Sequence, residues 1–402
     1  MLTKSVFWIV STIWLPVLFV FPAVAGANSH TTVARFEKPA ATALDVFDDF
    51  QPPDERGPYE VGVTTTYLTD TSRWEDQDEM YRTLPLEIWY PASGDDAPVN
   101  TVEDMIGEVP KWGLNELKLY YEDSLDELLS MTTSARRDAP PLTEEGPFPV
   151  LLFSHGLTAI RFQNFTLCEH LASHGFIVVA PDHFGNAVFT NVPGDDVIIF
   201  EPLSLITGLV DRPLDVNFVY QSLLNGGRDR FMPFELPLDL DTFAVVGHSY
   251  GGLTAMLAGP IYDYIDAIVP LNPFFLDFYP PWFTKPVLML QSEMDEVVGM
   301  VNDAARGAFN KMNSDRKIHL FLYAGSHFSA TDACRLFPPK MIYPSMGCGS
   351  PERIDFVLAN QIALSYITAF LKSVLLGDDR YDEYLLANHF PDNIELTTVW
   401  PE

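Results

Sequence analysis

Thr242-Phe-Ala-Val-Val-Gly-His-Ser-Tyr-Gly-Gly252 is the stretch on which the reading of the fold turns. Phe243 to Val246 is an apolar run of strand character, and it feeds without a spacer into Gly247-His248-Ser249-Tyr250-Gly251. A small-residue helical segment, Leu253 to Gly259, follows. Gly-x-Ser-x-Gly between a strand and a helix is the setting in which a sharp turn lifts a serine hydroxyl out of a sheet. Glycines on either side allow backbones to approach where a side chain would collide. Ser249 is therefore the candidate nucleophile.

Outward from this turn, short apolar runs alternate with helical segments. Phe148–Phe153, Phe176–Ala180, Ala267–Pro270, Pro286–Leu290 and Ile318–Tyr323 read as further buried strands. Helices are expected over Phe162–Ser173, Pro213–Leu224, Leu253–Ala258, Asn302–Met312 and Ile354–Leu375. Such alternation implies an α/β class, a mostly parallel central sheet covered by helices on both faces. Right-handed crossovers then place the loops after the strands on one rim. Tyr59–Tyr67 and Leu84–Tyr90 read as opening antiparallel strands. Residues 93–147 read as an insertion near the mouth of the site, with helical pieces near Trp112–Tyr121 and Asp126–Met131.

A serine hydroxyl needs a base within reach, and the base needs an acid to orient it. Behind such a turn the chain order is Ser, acid, His. Three histidines follow Ser249. His319 falls inside a strand and His389 beyond the last long helix, whereas His327 sits in a loop, Ala324-Gly-Ser-His-Phe328, directly after a strand. His327 is the candidate base. The acid is expected after the strand that ends near Leu290, where Glu293, Asp295 and Glu296 cluster. Asp295 is preferred and Glu293 is the alternative. The backbone N–H groups of Tyr250 and of Leu157, in Ser154-His155-Gly156-Leu157, are the expected oxyanion donors. Phe274, Phe275 and Trp282 lie in an apolar segment after a rim strand and are candidates for a pocket wall.

Composition narrows the field. Fifty-five acidic against 24 basic residues give a formal net charge of -31. That argues against nucleic acid and against docking on anionic lipid. Lys4, the apolar run from Ser5 to about Pro22 and Ala23-Val24-Ala25 read as a cleavable secretory signal over residues 1–25, with an uncleaved anchor as the alternative. Nothing further along reads as long and apolar enough to cross a bilayer, so no stable membrane insertion is expected after signal removal. Residues 26–58 read as an irregular lead-in, and 59–402 as a single catalytic domain. Cys334 and Cys348 are placed to close a loop, and Cys168 reads as a buried thiol on a helix. His170 and His174 stand at i, i+4, but the glutamate a zinc protease would carry between them is absent. No metal and no cofactor are expected.

Phe148-Pro-Val-Leu-Leu-Phe-Ser-His-Gly-Leu157 and Leu171-Ala-Ser-His-Gly-Phe-Ile-Val-Val-Ala180, taken with Gly247-His-Ser-Tyr-Gly-Gly252, resemble the secreted platelet-activating-factor acetylhydrolase family. The same segments are similar to dienelactone-hydrolase-like and polyester hydrolases of the α/β-hydrolase superfamily. The resemblance covers roughly residues 60–375. It implies an α/β-hydrolase fold and a cofactor-free serine esterase acting on small or short-acyl esters, short-chain lipids included. One departure stands out: where the acetylhydrolases carry their acid, this chain has Asn272, in Leu271-Asn272-Pro273. Asp295 and Gly325–Phe328 instead resemble the acid and histidine segments of the polyester and cutinase-like hydrolases. A polyester or cutin-type hydrolase is therefore the alternative, and a degenerate hydrolase fold serving as a binding module is the reading outside enzymes.

Closing a loop of this length removes chain entropy worth about 3 kcal/mol. Cys334→Ser is expected to lower the free energy of urea unfolding by about that amount. Unfolding midpoints of the oxidised wild type and the variant check it.

Overall fold

The strands are near-continuous apolar runs because both of their faces are covered. In Phe148–Ser154, Leu151 and Phe153 point into one core with Cys168, Leu171, Tyr366 and Phe370. Val150 and Leu152 point into a second core with Val216, Val219, Met256 and Phe309. The period of two between successive side chains thus divides each central strand between two helical layers.

The computed structural model describes residues 50–401 apart from 95, 108–117, 119–120, 193–195, 227–233, 276, 278 and 338–347. The expected signal stretch, residues 26–49 of the lead-in and most of the helical piece expected near residues 112–121 lie outside the described residues. The chain opens with a long antiparallel hairpin, β1 (Glu60–Glu75) and β2 (Met80–Ala92). The insertion supplies β3 (Val99–Thr101), α1 (Val102–Ile106), α2 (Leu125–Leu129) and β4 (Thr132–Arg137). Next come β5 (Phe148–Ser154), α3 (Phe165–Ser173), β6 (Ile177–Pro181), the hairpin β7 (Phe189–Val192) and β8 (Asp196–Ile199), and α4 (Ser204–Gly226). The second half runs β9 (Leu238–His248), α5 (Tyr250–Ala258), β10 (Ala267–Leu271), β11 (Val287–Ser292), α6 (Asn302–Lys311), β12 (Lys317–Leu322), α7 (Ala333–Leu336), α8 (Phe356–Leu376), α9 (Arg380–Leu386) and β13 (Ile394–Val399).

One sheet takes the order β13-β12-β11-β10-β9-β5-β6-β2-β1-β4-β3, parallel from β12 through β6. The expected α/β-hydrolase fold, a mostly parallel sheet between helices, is what the structure holds. The chain winds outward one way from β5 to β6 and then returns to β9 on the other side of β5. The gap outside the carboxyl ends of β5 and β9 is the switch point where open α/β sheets place their sites.

Four features differ from the sequence reading. The insertion also adds β4 and β3 to one edge of the sheet. Thr132-Thr-Ser-Ala-Arg-Arg137, paired between β1 and the edge strand β3, is a polar strand with little apolar signal. Helix α4 begins at Ser204, well before Pro213, which lies inside it. β13, antiparallel on β12, closes the opposite edge and was not expected. Finally, α8 is long and apolar enough to cross a membrane by length and composition, contrary to the expectation for the chain beyond its N-terminus. Its buried Ile362, Tyr366, Phe370 and Leu371 make it a core helix.

Residues 50–58 lack regular structure yet are held down. The carbonyls of Pro53 and Glu55 face His170 Nε2 and His174 Nε2, both at 2.9 Å. Cys334 and Cys348 are joined, and Cys168 is a buried thiol.

β5 and α5 meet closely. A Cβ on Gly251 would stand 1.8 Å from the carbonyl oxygen of Ser154. Gly251→Ala is expected to lower stability by about 3 kcal/mol, since the atoms its Cβ would strike are backbone and cannot swing aside. Urea titration of the variant checks it.

Candidate active site

Ser249 connects β9 to α5 with φ 56° and ψ -116°, outside the regions that non-glycine residues favour. Such strain costs on the order of 1–3 kcal/mol and persists only where the surroundings enforce it. Here they do: Ser249 N donates to Leu271 O at 2.8 Å, and Leu253 N donates back to Ser249 O at 3.0 Å. The turn leaves Ser249 half-buried while its neighbours His248 and Tyr250 are buried.

Asp295 and His327, from the loops after β11 and β12, meet. Asp295 Oδ2 lies 2.7 Å from His327 Nδ1. Asp295 Oδ1 accepts from Val298 N at 2.7 Å and Val297 N at 2.9 Å. Burial alone would raise the Asp295 carboxyl, but the His327 ring and the two N–H donors outweigh it and hold it below the usual carboxylate range. The carboxylate on Nδ1 fixes that nitrogen as the protonated one and leaves Nε2 with its lone pair.

The Ser249 hydroxyl makes no hydrogen bond among the described residues. What brings His327 to the turn is its backbone: the His327 carbonyl faces His248 Nε2 at 2.8 Å and accepts from Asn272 Nδ2 at 3.0 Å. The rings of His248 and His327 lie 4.7 Å apart between centroids. Free hydrolases often hold the serine–imidazole contact loosely before substrate arrives. Burial, reinforced by the nearby His327, pushes His248 down to about 3, so it stays neutral. Its Nε2–H donates, and its Nδ1 accepts from Gln163 Nε2 at 2.6 Å. Gln163 Oε1 accepts in turn from Gly156 N at 2.7 Å. One hydrogen-bonded line therefore runs from the turn after β5 to the loop carrying His327. Asn272, which stands where an acid was absent, is part of that support.

The N–H groups of Leu157 and Tyr250 find no partner among the described residues. Tyr250 N opens α5, where first-turn donors lack an intrahelical acceptor. Beneath the turn lies a group the sequence reading missed. Ser154 Oγ, His183 Nε2, His183 Nδ1 and Asp215 Oδ2 form a chain with separations of 2.8 and 2.9 Å, every member wholly buried. Asp215 also pairs with Arg82 and Arg73, both at 2.7 Å. Burial would raise the Asp215 carboxyl; the Arg82 guanidinium more than offsets this and holds it far below the usual range. This second Ser-His-Asp set has no exposed atom to offer a substrate and acts as scaffold. Only its tertiary contacts reveal it, since Asp215 lies in a helix far along the chain.

Glu293 is exposed, and its Oε2 accepts from Ala324 N at 2.9 Å, capping the loop that carries His327. Glu296 Oε2 accepts from His327 N at 3.3 Å. Phe275 packs on Tyr279 at the margin of the second core, and Phe274 and Trp282 are exposed. Trp282 adjoins Phe283, whose ring stands by Gly259 at the end of α5 away from Ser249. His319 is a packed strand residue, 2.8 Å from Gln291 Oε1. His174 ends α3, where a cation would be favoured, but burial pushes it down to about 3, so it is neutral there. No group of three ligating side chains fit to hold a metal occurs among the described residues.

Residues 44–195 match the family described as platelet-activating factor acetylhydrolase, isoform II, and residues 222–343 match the one described as PET hydrolase-like. The chain is 29% identical to chlorophyllase-1, chloroplastic, of Citrus unshiu over 36% of this chain and 41% of that one. It is 25% identical to cutinase 2 of Thermobifida cellulosilytica over 60% of this chain and 74% of that one. The chain spans about two fifths of the length of these chlorophyllase relatives. Among solved structures, a ferulic acid esterase from Streptomyces cinnamoneus superposes with a TM-score of 0.67 at 24% identity, covering 85% of this chain and 96% of that one.

The geometry separates the two candidate acids. Asp295→Asn is expected to lower kcat by about 10⁴-fold, because the amide favours the wrong imidazole tautomer. Glu293→Gln, which keeps an acceptor for Ala324 N, is expected to change kcat by less than about twofold. Initial rates on a p-nitrophenyl ester compare them.

Proposed function

The chain belongs to the α/β-hydrolase superfamily, and from that premise we propose that it is an exported serine carboxylic-ester hydrolase of short-acyl or small esters. Ser249 Oγ attacks the ester carbonyl while His327 Nε2 takes its proton. Asp295 orients the ring and stabilises the imidazolium that forms. The carbonyl oxygen, now negative, lies between the N–H groups of Leu157 and Tyr250. Collapse expels the alcohol with the proton from His327 and leaves an acyl-enzyme. Water, deprotonated by the same imidazole, then releases the acid and restores Ser249.

The observation that carries this reading is the 2.7 Å Asp295–His327 pair, tied through the His327 carbonyl to the residue next to a strained serine. A binding module would have no use for that strain. Export is supported by the character of residues 1–25 and by the Cys334–Cys348 bond, which persists in oxidising compartments.

A second reading, a polyester or cutin-type hydrolase, draws on two observations. The PET hydrolase-like match spans Ser249, Asp295 and His327, whereas the acetylhydrolase match ends before all three. Exposed apolar side chains, Val297 and Met300 just after Asp295, also suit contact with a solid or lipid surface.

Ser249→Ala is expected to lower turnover of p-nitrophenyl butyrate by about 10⁶-fold. Unchanged turnover would remove the serine mechanism. Rates on p-nitrophenyl esters of increasing chain length, set beside release of acid from a polyester film, separate the two substrate readings.

A further inference from the structure

We propose that Arg212 aims the oxyanion donor of Leu157 and so acts as a positioning residue for ester hydrolysis. The inference rests on the serine-hydrolase reading above and adds to it a residue outside the expected machinery.

Arg212 lies inside α4 and is wholly buried. A guanidinium in that position ordinarily faces a carboxylate. Asp215, three residues on, is already engaged by Arg73, Arg82 and His183. Arg212 spends its donors on other groups. Nη1 donates to His155 O at 2.5 Å, Nη2 to Gly156 O at 3.3 Å and Nε to Asn186 Oδ1 at 2.9 Å. Its guanidinium carbon stands 4.7 Å from the centre of the Tyr250 ring. One cation thus touches both residues expected to flank the oxyanion: Tyr250 directly, and Leu157 through the preceding peptide.

The Gly156 carbonyl and the Leu157 N–H belong to one planar trans peptide, so they point in opposite directions. Arg212 fixes the carbonyl from one side. His155 Nδ1, 2.6 Å from the same oxygen, assists it. His155 Nε2 accepts from His183 N at 3.1 Å, which leaves Nδ1–H as the donor. The N–H of Leu157 is therefore turned away from Arg212. Gly156 itself adjoins the nucleophile, since a Cβ built on it would stand 3.5 Å from Ser249 Cβ. A glycine has little of its own to stop this peptide plane from rotating. Arg212 supplies the restraint, and a cation on the carbonyl also polarises the N–H at the far end of the amide. Burial pushes the Arg212 guanidinium down to about 9, so it remains charged at neutral pH.

The test uses the full-length enzyme and two variants, Arg212→Lys and Asn186→Ala. Lysine keeps the charge but cannot hold two carbonyls and Asn186 at once. The readouts are kcat, KM and Ki for an alkyl trifluoromethyl ketone, whose hemiketal oxygen occupies the oxyanion position. The expected result for Arg212→Lys is a loss in kcat of about 30-fold, KM within about twofold, and Ki raised in step with the loss in kcat. Asn186→Ala, which frees Nε of the retained arginine, is expected to show the same pattern at smaller amplitude. Wild-type kcat and Ki in the folded lysine variant overturn the proposal, as does a fall in kcat with Ki unmoved. Should the lysine variant not fold, wild-type values in Asn186→Ala overturn it equally. Ser249→Ala distinguishes the failures: if that variant keeps its activity, the serine-hydrolase reading falls and takes this one with it. If it is inactive while Arg212→Lys behaves as wild type, only the role of Arg212 falls.

Discussion

The close approach of two backbones holds this site together. Gly251 presses on the Ser154 carbonyl with no room for a Cβ, and Gly247 presses on Gly251 in the same way. Those contacts bring the carboxyl ends of β5 and β9 to the separation at which the turn after one strand can face the serine after the other. They also leave Ser249 a backbone conformation that a relaxed turn would avoid. The strain is sustained because many weak constraints agree: strand pairing on both sides of β9, the bond from Ser249 N to Leu271, and the packing of α5 into the second core. No single one of these would suffice against a penalty of about 1–3 kcal/mol.

Below the rim the protein buries an unusual amount of polarity. Ser154, His183, Asp215 and Arg82 form one connected group; Glu87, Arg161 and Asp182 form another, with Arg161 only 2.7 Å from Asp182 and 3.1 Å from Glu87. Burying such groups is weak evidence of stability, since apolar residues of the same shape would often hold a fold as well. What they supply is direction. A satisfied polar network admits one arrangement of its members and rejects slightly shifted ones. That is the property needed where donor positions must be right to a few tenths of an ångström.

Much of this was legible in the chain. The central strands announced themselves because both faces are covered, and the order Ser249, Asp295, His327 followed from which loops come after which strands. Asn272 was read as a missing acid, and its amide holds the His327 carbonyl instead. The failures share a cause. β3 and β13 lie at the sheet edges and β4 next to one, where half-exposed strands need few apolar residues. Pro213 suggested a helix start, but α4 carries it internally. Gln163, His183 and Arg212 gave no signal, because each acts on residues distant in sequence through bonds that exist only once the sheet has formed.

The imidazoles carry a further consequence. His155, His170, His174, His183, His248 and His319 are all buried and all held below their ordinary values, burial being the largest cause in each. An unfolded chain would bind protons at these rings near pH 6.5, while the folded chain takes them up only at lower pH. Each ring therefore adds stability that is complete above that pH and drains away as acidity rises, by up to about 1.4 kcal/mol for every unit. Glu169, Asp182, Glu201, Glu296 and Asp332, whose carboxyls burial raises, pull the other way. The six rings act in the same direction, on a margin that for a whole domain is only about 5–15 kcal/mol. Acid therefore loosens this fold from within, through rings that neutral water never reaches.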